Sequence, residues 1–184
     1  MTVAAPSVPT DVTATEGDDA SCVRVKWTAP AGASSYAIYR GTTASSSNAQ
    51  YLQNVTVAKY NDTDAVPGVN YYYFVKAKNA SGTSTFSVGA QGWRALSAPD
   101  NVVASDGTSL TQVDVTWSES KGAKYYRVYR ADQMDGTPTA LGSWQTGTSY
   151  ADATAVPGRI YFYTVKAAID SRGNRASAES IFDD

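Results

Sequence analysis

Residues 60–77 read YNDTDAVPGVNYYYFVKA and residues 150–167 read YADATAVPGRIYFYTVKA, with eleven of eighteen positions identical. The two stretches stand ninety residues apart. The same offset carries Trp27 to Trp117 and YAIYR at 36–40 to YRVYR at 126–130, with no gap between the anchors. A period this long, with no helical pattern inside it, marks two complete small domains in tandem rather than turns of a solenoid. The boundary lies in GAQGWRALSAP at 89–99, which divides the 184 residues into domains 1–95 and 96–184. Each half has enough residues to bury a core of its own.

Inside a repeat the strand signals come about ten residues apart, separated by Gly, Pro, Asp and Ser. In the first repeat they fall at 11–15, 22–27, 36–40, 51–56, 58–60, 70–79 and 85–89, and the second repeat offers the same set shifted by ninety. Seven short alternating strands without helices predict an all-β fold, two tandem seven-stranded antiparallel Ig-like sandwiches. Alternation sends Val23, Val25, Trp27, Tyr36, Ile38, Tyr71, Tyr73, Val75 and Ala77 inward, and their counterparts Val113, Val115, Trp117, Tyr126, Val128, Tyr161, Tyr163, Val165 and Ala167 likewise. Cys22 falls outside this inward set, and as the single cysteine it excludes an intrachain disulfide; it reads as a surface or edge thiol.

Trp on the second strand, Y-x-[IV] on the third, and Pro-Gly followed by Tyr-x-Tyr-x-Val-x-Ala on the sixth resemble the fibronectin type III family across the chain, twice. The resemblance implies a tyrosine corner at Tyr71 and Tyr161, each hydroxyl bonding back to backbone between the fifth and sixth strands. Immunoglobulin domains differ by a cystine and by a Trp on the third strand, and neither is present. The phrasing of the repeats resembles bacterial members. Such members imply an extracellular or cell-surface setting beside catalytic or carbohydrate-binding modules of a larger secreted protein.

Chemistry is sparse. The chain contains no histidine, which removes Ser-His-Asp and Cys-His schemes together with the commonest zinc ligand. No GxSxG elbow, P-loop or dinucleotide fingerprint appears. The charges, 15 basic against 17 acidic, leave no basic footprint for a phosphate backbone, so no nucleic acid is expected. No apolar run is long enough to span a membrane, and no signal peptide opens the sequence. No cofactor is expected. Asp62 and Asp152 precede the Pro-Gly corner; each reads either as an Asx-turn or, for Asp62 with Asp64, as a calcium ligand.

The remaining candidates are aromatic. Alternation places Tyr39, Tyr72 and Phe74 outside in the first repeat, and Tyr125, Tyr129 and Phe162 outside in the second. These rings read as cross-strand pairs that stabilise the sheet or, flanked by Arg40 and Arg130, as a strip for sugar rings or a neighbouring protein. Trp144 stands where the first repeat has Asn54, so the shared fold does not demand it. Trp93 and Leu96 are too large for a free linker and are expected to pack at the domain junction. Two functions follow as expectations. One is a non-catalytic, monomeric spacer holding flanking domains of a parent protein apart; the other is a binding module for polysaccharide or a protein partner.

Overall fold

A computed structural model describes residues 4–107 and 109–183. They form two compact units, Met1–Ala95 and Leu96–Asp184. In the first, β1 (Thr10–Ala14), β2 (Val23–Thr28) and β5 (Lys59–Asp62) make one antiparallel sheet in the order β1-β2-β5. The facing sheet has the order β4-β3-β6-β7, from β3 (Ser35–Gly41), β4 (Gln50–Val55), β6 (Tyr71–Asn79) and β7 (Gly82–Thr83), with β8 (Ala90–Gly92) also on β6. The second unit repeats this plan. Its sheets are β13-β10-β9, from β9 (Val103–Ala104), β10 (Val113–Thr116) and β13 (Ser149–Asp152), and β12-β11-β14, from β11 (Tyr125–Ala131), β12 (Thr139–Ala140) and β14 (Phe162–Ala168). No α-helix occurs among the described residues. Each unit is an antiparallel β-sandwich.

The β-branched and aromatic residues explain these strands, because such side chains suit a pleated surface buried on one face. Val23, Val25 and Trp27 on β2 meet Tyr36 and Ile38 on β3 and Tyr73, Val75 and Ala77 on β6. The second core repeats the set with Val115, Trp117, Tyr126, Val128, Tyr161, Tyr163, Val165 and Ala167. Burying one Val of this kind contributes roughly 1.5–3 kcal/mol. Trp27 meets Tyr36 edge to face with ring centroids 5.2 Å apart, and Trp117 lies 5.6 Å from Tyr126. Cys22 is buried, contrary to its outward assignment, because β2 starts only at Val23 and the turn before it folds Cys22 under Asp19.

The expected last strand of each repeat departs from a regular ladder. In the first unit Ser84 and Ser87 insert their hydroxyls between the chain and β6. Ala77 N–H donates to Ser84 Oγ at 2.9 Å and Val75 N–H donates to Ser87 Oγ at 3.0 Å. In return Ser84 N–H and Ser87 N–H donate to the Ala77 and Val75 carbonyls at 2.8 and 3.0 Å. Ser177 and Ser180 do the same for Ala167 and Val165. A hydroxyl is thus substituted for a backbone carbonyl, so the β6 and β14 donors stay satisfied while the strand pattern is lost. Ser177 stands 93 residues after Ser84, so the ninety-residue offset ends at the hairpin after β14, which is three residues longer.

Candidate functional site

The most distinctive cluster in each unit is polar and interior. Asp62, at the end of β5, is fully buried. Its Oδ2 accepts from Arg40 Nη1 at 2.7 Å and from Tyr73 Oη at 2.8 Å, and its Oδ1 accepts from Asp64 N–H at 3.1 Å. The Arg40 guanidinium lies 4.4 Å above the Tyr71 ring. The second unit rebuilds the cluster: Arg130 Nη1 lies 2.7 Å and Tyr163 Oη 3.0 Å from Asp152 Oδ2, with Arg130 4.4 Å above Tyr161. Thr154 adds both its N–H and its hydroxyl to Asp152 Oδ1, at 2.9 and 2.6 Å. A buried carboxylate persists only with such partners.

Charge and burial act on these groups in opposite senses. Burial, reinforced by the adjacent carboxylate, holds the Tyr73 and Tyr163 phenols well above their ordinary range, so both remain protonated donors. Burial also pushes the Asp152 carboxyl up, but hydrogen bonds from Thr154, Arg130 and Tyr163 outweigh it and hold the group below its ordinary value. Both aspartates therefore form Asx-turns with the second residue onward. The calcium alternative at Asp62 and Asp64 loses its donor set, since a guanidinium and a phenol already occupy Asp62. Among the described residues no group of three or more His, Cys, Asp or Glu is placed to hold a metal ion.

Arg40 and Arg130 thus face inward rather than flanking an outer strip. Their parity with Tyr36 and Ile38, or with Tyr126 and Val128, carried that signal, and Asp62 shares parity with Tyr60 on β5. The corner tyrosines differ in detail. Both rings lie under an arginine, and in the second unit Val156 N–H also donates to Tyr161 Oη at 3.3 Å, the backbone bond expected of the corner.

The outer face of the first unit gathers four rings. Tyr39 is opposite Phe74 in the β3–β6 register and beside Tyr51 on β4. It meets Tyr51 at 5.6 Å and Phe86 at 4.8 Å, and Phe86 meets Phe74 at 6.0 Å, all edge to face. Phe74 is only 2% exposed, although outward-pointing, because Phe86 and the Gly89 backbone cover it. The Lys76 ammonium lies 4.0 Å above Phe86 and 5.8 Å above Tyr39. Tyr51 alone of the four is more than half exposed, at 52%. Tyr72 stands apart, its hydroxyl donating to Gln91 Oε1 at 3.0 Å.

The second unit lacks this cluster. Glu179, in register with Phe86, pairs with Lys166 at 3.0 Å, and Lys166 lies 5.1 Å above Tyr129. Phe162 packs on Phe182 at 6.2 Å. Trp144 presses its indole onto Gly173, which has φ +77°, so closely that a β-carbon there would lie 2.6 Å from the ring. That glycine sits in the turn where the Asp170 carboxylate accepts from Asn174 and Arg172 N–H. At the boundary, Trp93 stacks on Gly17 within the first unit and Leu96 is buried in the second core.

A two-domain fibronectin type III segment of chicken tenascin matches with a TM-score of 0.68, covering 94% of this chain and 95% of that one at 16% identity. The chain has the fold of a tandem pair of fibronectin type III sandwiches. No protein-family model matches it. An amylopullulanase of Thermoanaerobacterium saccharolyticum is 35% identical over 96 residues, which are 52% of this fibronectin type III pair but 7% of that protein. An amylopullulanase of Thermoanaerobacterium thermosulfurigenes matches at 35% over 96 residues, 5% of its length. The fibronectin type III pair therefore spans less than a tenth of the curated relatives it matches. No helix among its described residues is long and apolar enough to cross a membrane.

Proposed function

We propose that the chain is a non-catalytic spacer, holding neighbouring modules of a larger extracellular bacterial protein at a set separation. The observation that carries this reading is that each unit, on its own side of the boundary, is closed by its own contacts. Ala95 N–H donates to Asp19 O at 3.0 Å in the first sandwich, and the next residue, Leu96, is buried in the core of the second. The partial match to amylopullulanases supports a setting beside polysaccharide-degrading modules.

The occupied state of the outer rings argues in the same direction. Sugar stacking needs open ring faces, and here Phe74 is covered, Phe86 carries an ammonium on its face and Trp144 lies on backbone. The titratable clusters likewise offer no free nucleophile or base, since both buried carboxylates are fully bonded. Small-angle scattering tests the spacer. Insertion of five Gly-Ser residues between Ala95 and Leu96 lengthens and broadens the distance distribution of the pair; an unchanged distribution overturns the reading. Affinity electrophoresis in starch and pullulan separates it from the binding alternative, which requires retardation that disappears with Tyr39→Ala, Tyr51→Ala or Trp144→Ala.

A further inference from the structure

The first unit carries an unfavourable charge arrangement that the second does without. Lys26 on β2 stands directly opposite Lys59 on β5 in the antiparallel register. Trp27 N–H donates across to the Ala58 carbonyl at 3.4 Å, whereas the Arg24 carbonyl accepts from Thr15 N–H at 3.1 Å, on the β1 side. Odd-numbered residues of β2 therefore bond toward β5, and Lys26–Lys59 is a non-hydrogen-bonded pair, the kind that brings opposed side chains closest. Like charges so placed destabilise a sheet. Both lysines are exposed, and neither ammonium has an ion-pair partner among the described residues. The ninety-residue offset replaces the pair with Thr116 opposite Ser149, so the fold does not require it.

The repulsion falls beside an open backbone. β5 ends the β1-β2-β5 sheet, and β4 ends the facing one. Tyr60 turns its main-chain groups toward Val25, so the N–H and C=O groups of Lys59 and Asn61 point away from β2, to the free edge. At that edge lies a cleft of about 470 Å³ whose lining includes Arg24, Lys26, Gln53, Val55, Lys59 and Asn61. Its charged groups are all cations, and no carboxylate among the described residues lines it. Glu16 and Asp18 line a separate hollow on the β1 side, and Asp19 is taken up by Arg24. A lone lysine on an edge strand serves to repel other edges. That role accounts for Lys59 but not for Lys26, which sits on the central strand of three.

We propose that the free edge of β5 docks an extended acidic segment of a partner protein as a fourth strand of this sheet. The segment's main chain pairs with the outward groups of Lys59 and Asn61. Its carboxylates stand over Lys59 and Lys26 and remove the repulsion that the free chain carries. A peptide suits the site better than another polyanion because it brings N–H and C=O groups of its own to a strand edge. Every second residue of such a segment faces the lysines, so acidic and β-branched residues alternate in the sequence that binds. This recognition is additional to spacing and does not depend on it.

The test titrates the whole chain with two blocked hexapeptides, Glu-Val-Glu-Val-Glu-Val and Gln-Val-Gln-Val-Gln-Val, and follows the amide resonances. The acidic peptide shifts Lys59 and Asn61, slows their amide exchange and binds more tightly than the neutral one. Lys59→Glu reverses the preference toward Lys-Val-Lys-Val-Lys-Val, and Lys26→Glu weakens the acidic peptide about two- to fivefold. Without any peptide, Lys26→Glu raises the melting temperature of the first unit by about 1–5 °C, because a repulsive pair becomes an attractive one. Equal affinity for the acidic and neutral peptides, or no shift at Lys59 and Asn61, overturns the proposal. Polygalacturonate shifting these residues where the acidic peptide does not would mark an acidic-polysaccharide site and overturn it too. So would self-association of Lys59→Ser in sedimentation with neither peptide bound, since Lys59 would then only guard the edge.

Discussion

Arg40 meets Asp62 and Arg130 meets Asp152 at the same 2.7 Å, and both guanidinium groups stand 4.4 Å above a tyrosine ring. On the outer sheets the two units part: Phe86 tops a four-ring cluster in the first, while Glu179 pairs with Lys166 in the second. The difference separates two kinds of constraint. A buried carboxylate without its partners is costly, so the Arg–Asp–Tyr contacts of the interior network recur in both units. An outer face lets water compensate for whatever side chain is lost, so ring and ion pair are interchangeable there.

The strongest way to break this comparison is Asp62→Ala, which leaves Arg40 and Tyr73 facing a vacated site. Losing one partner of a buried pair costs roughly 3–5 kcal/mol; because Arg40 keeps 21% of its side chain exposed, the lower end applies. Calorimetry should show the first unit's transition falling while the second stays in place, and Asp152→Ala should do the reverse. A common shift of both transitions would refute independent networks.

Phe86→Ala comes next. A fully buried Phe→Ala change costs roughly 3–5 kcal/mol, and half-buried Phe86 should cost about half of that, read as a lower urea midpoint for the first unit. A cost near zero would mean that the outer rings contribute no stability. Acid then distinguishes the second network. The folded pKa of Asp152 lies below its unfolded value, so its contribution is complete above about pH 4 and disappears as the pH falls through the folded value. Thr154→Ala removes the hydroxyl's bond to Asp152 and the one it accepts from Arg130, costs about 1 kcal/mol at neutral pH and moves the acid limb of the second unit upward. A limb unmoved by this change would show that Arg130, Tyr163 and the residue-154 N–H suffice to depress the group. Glu179→Ala is the smallest, below about 1 kcal/mol, since its ion pair is partly open to solvent.

Much of the interior was legible. Strict alternation put Val23, Val25 and Trp27 on one face, and the repeat confirmed each position with a counterpart that had to pack in the same way. The same parity already put Arg40 inward, but charge alone suggested the surface. Only its neighbours, a buried Asp62 and a Tyr71 ring, make that orientation favourable. Phe74 was legible as outward but not as covered, because Phe86 arrives from a segment whose strand pattern fails. That failure was itself hidden, since Ser84 and Ser87 look like turn residues until their hydroxyls are seen accepting from β6.

The sequence by itself determined the duplication, the all-β class and the apolar interior of both units, because local alternation and a repeated pattern need no knowledge of distant contacts. Tertiary structure alone decided which polar groups meet across the sandwich, and which rings are covered. It also decided that Trp93 and Arg94 close the end of the first unit. Those outcomes depend on pairs far apart in the chain, brought within hydrogen-bond or van der Waals reach only when two sheets close on each other.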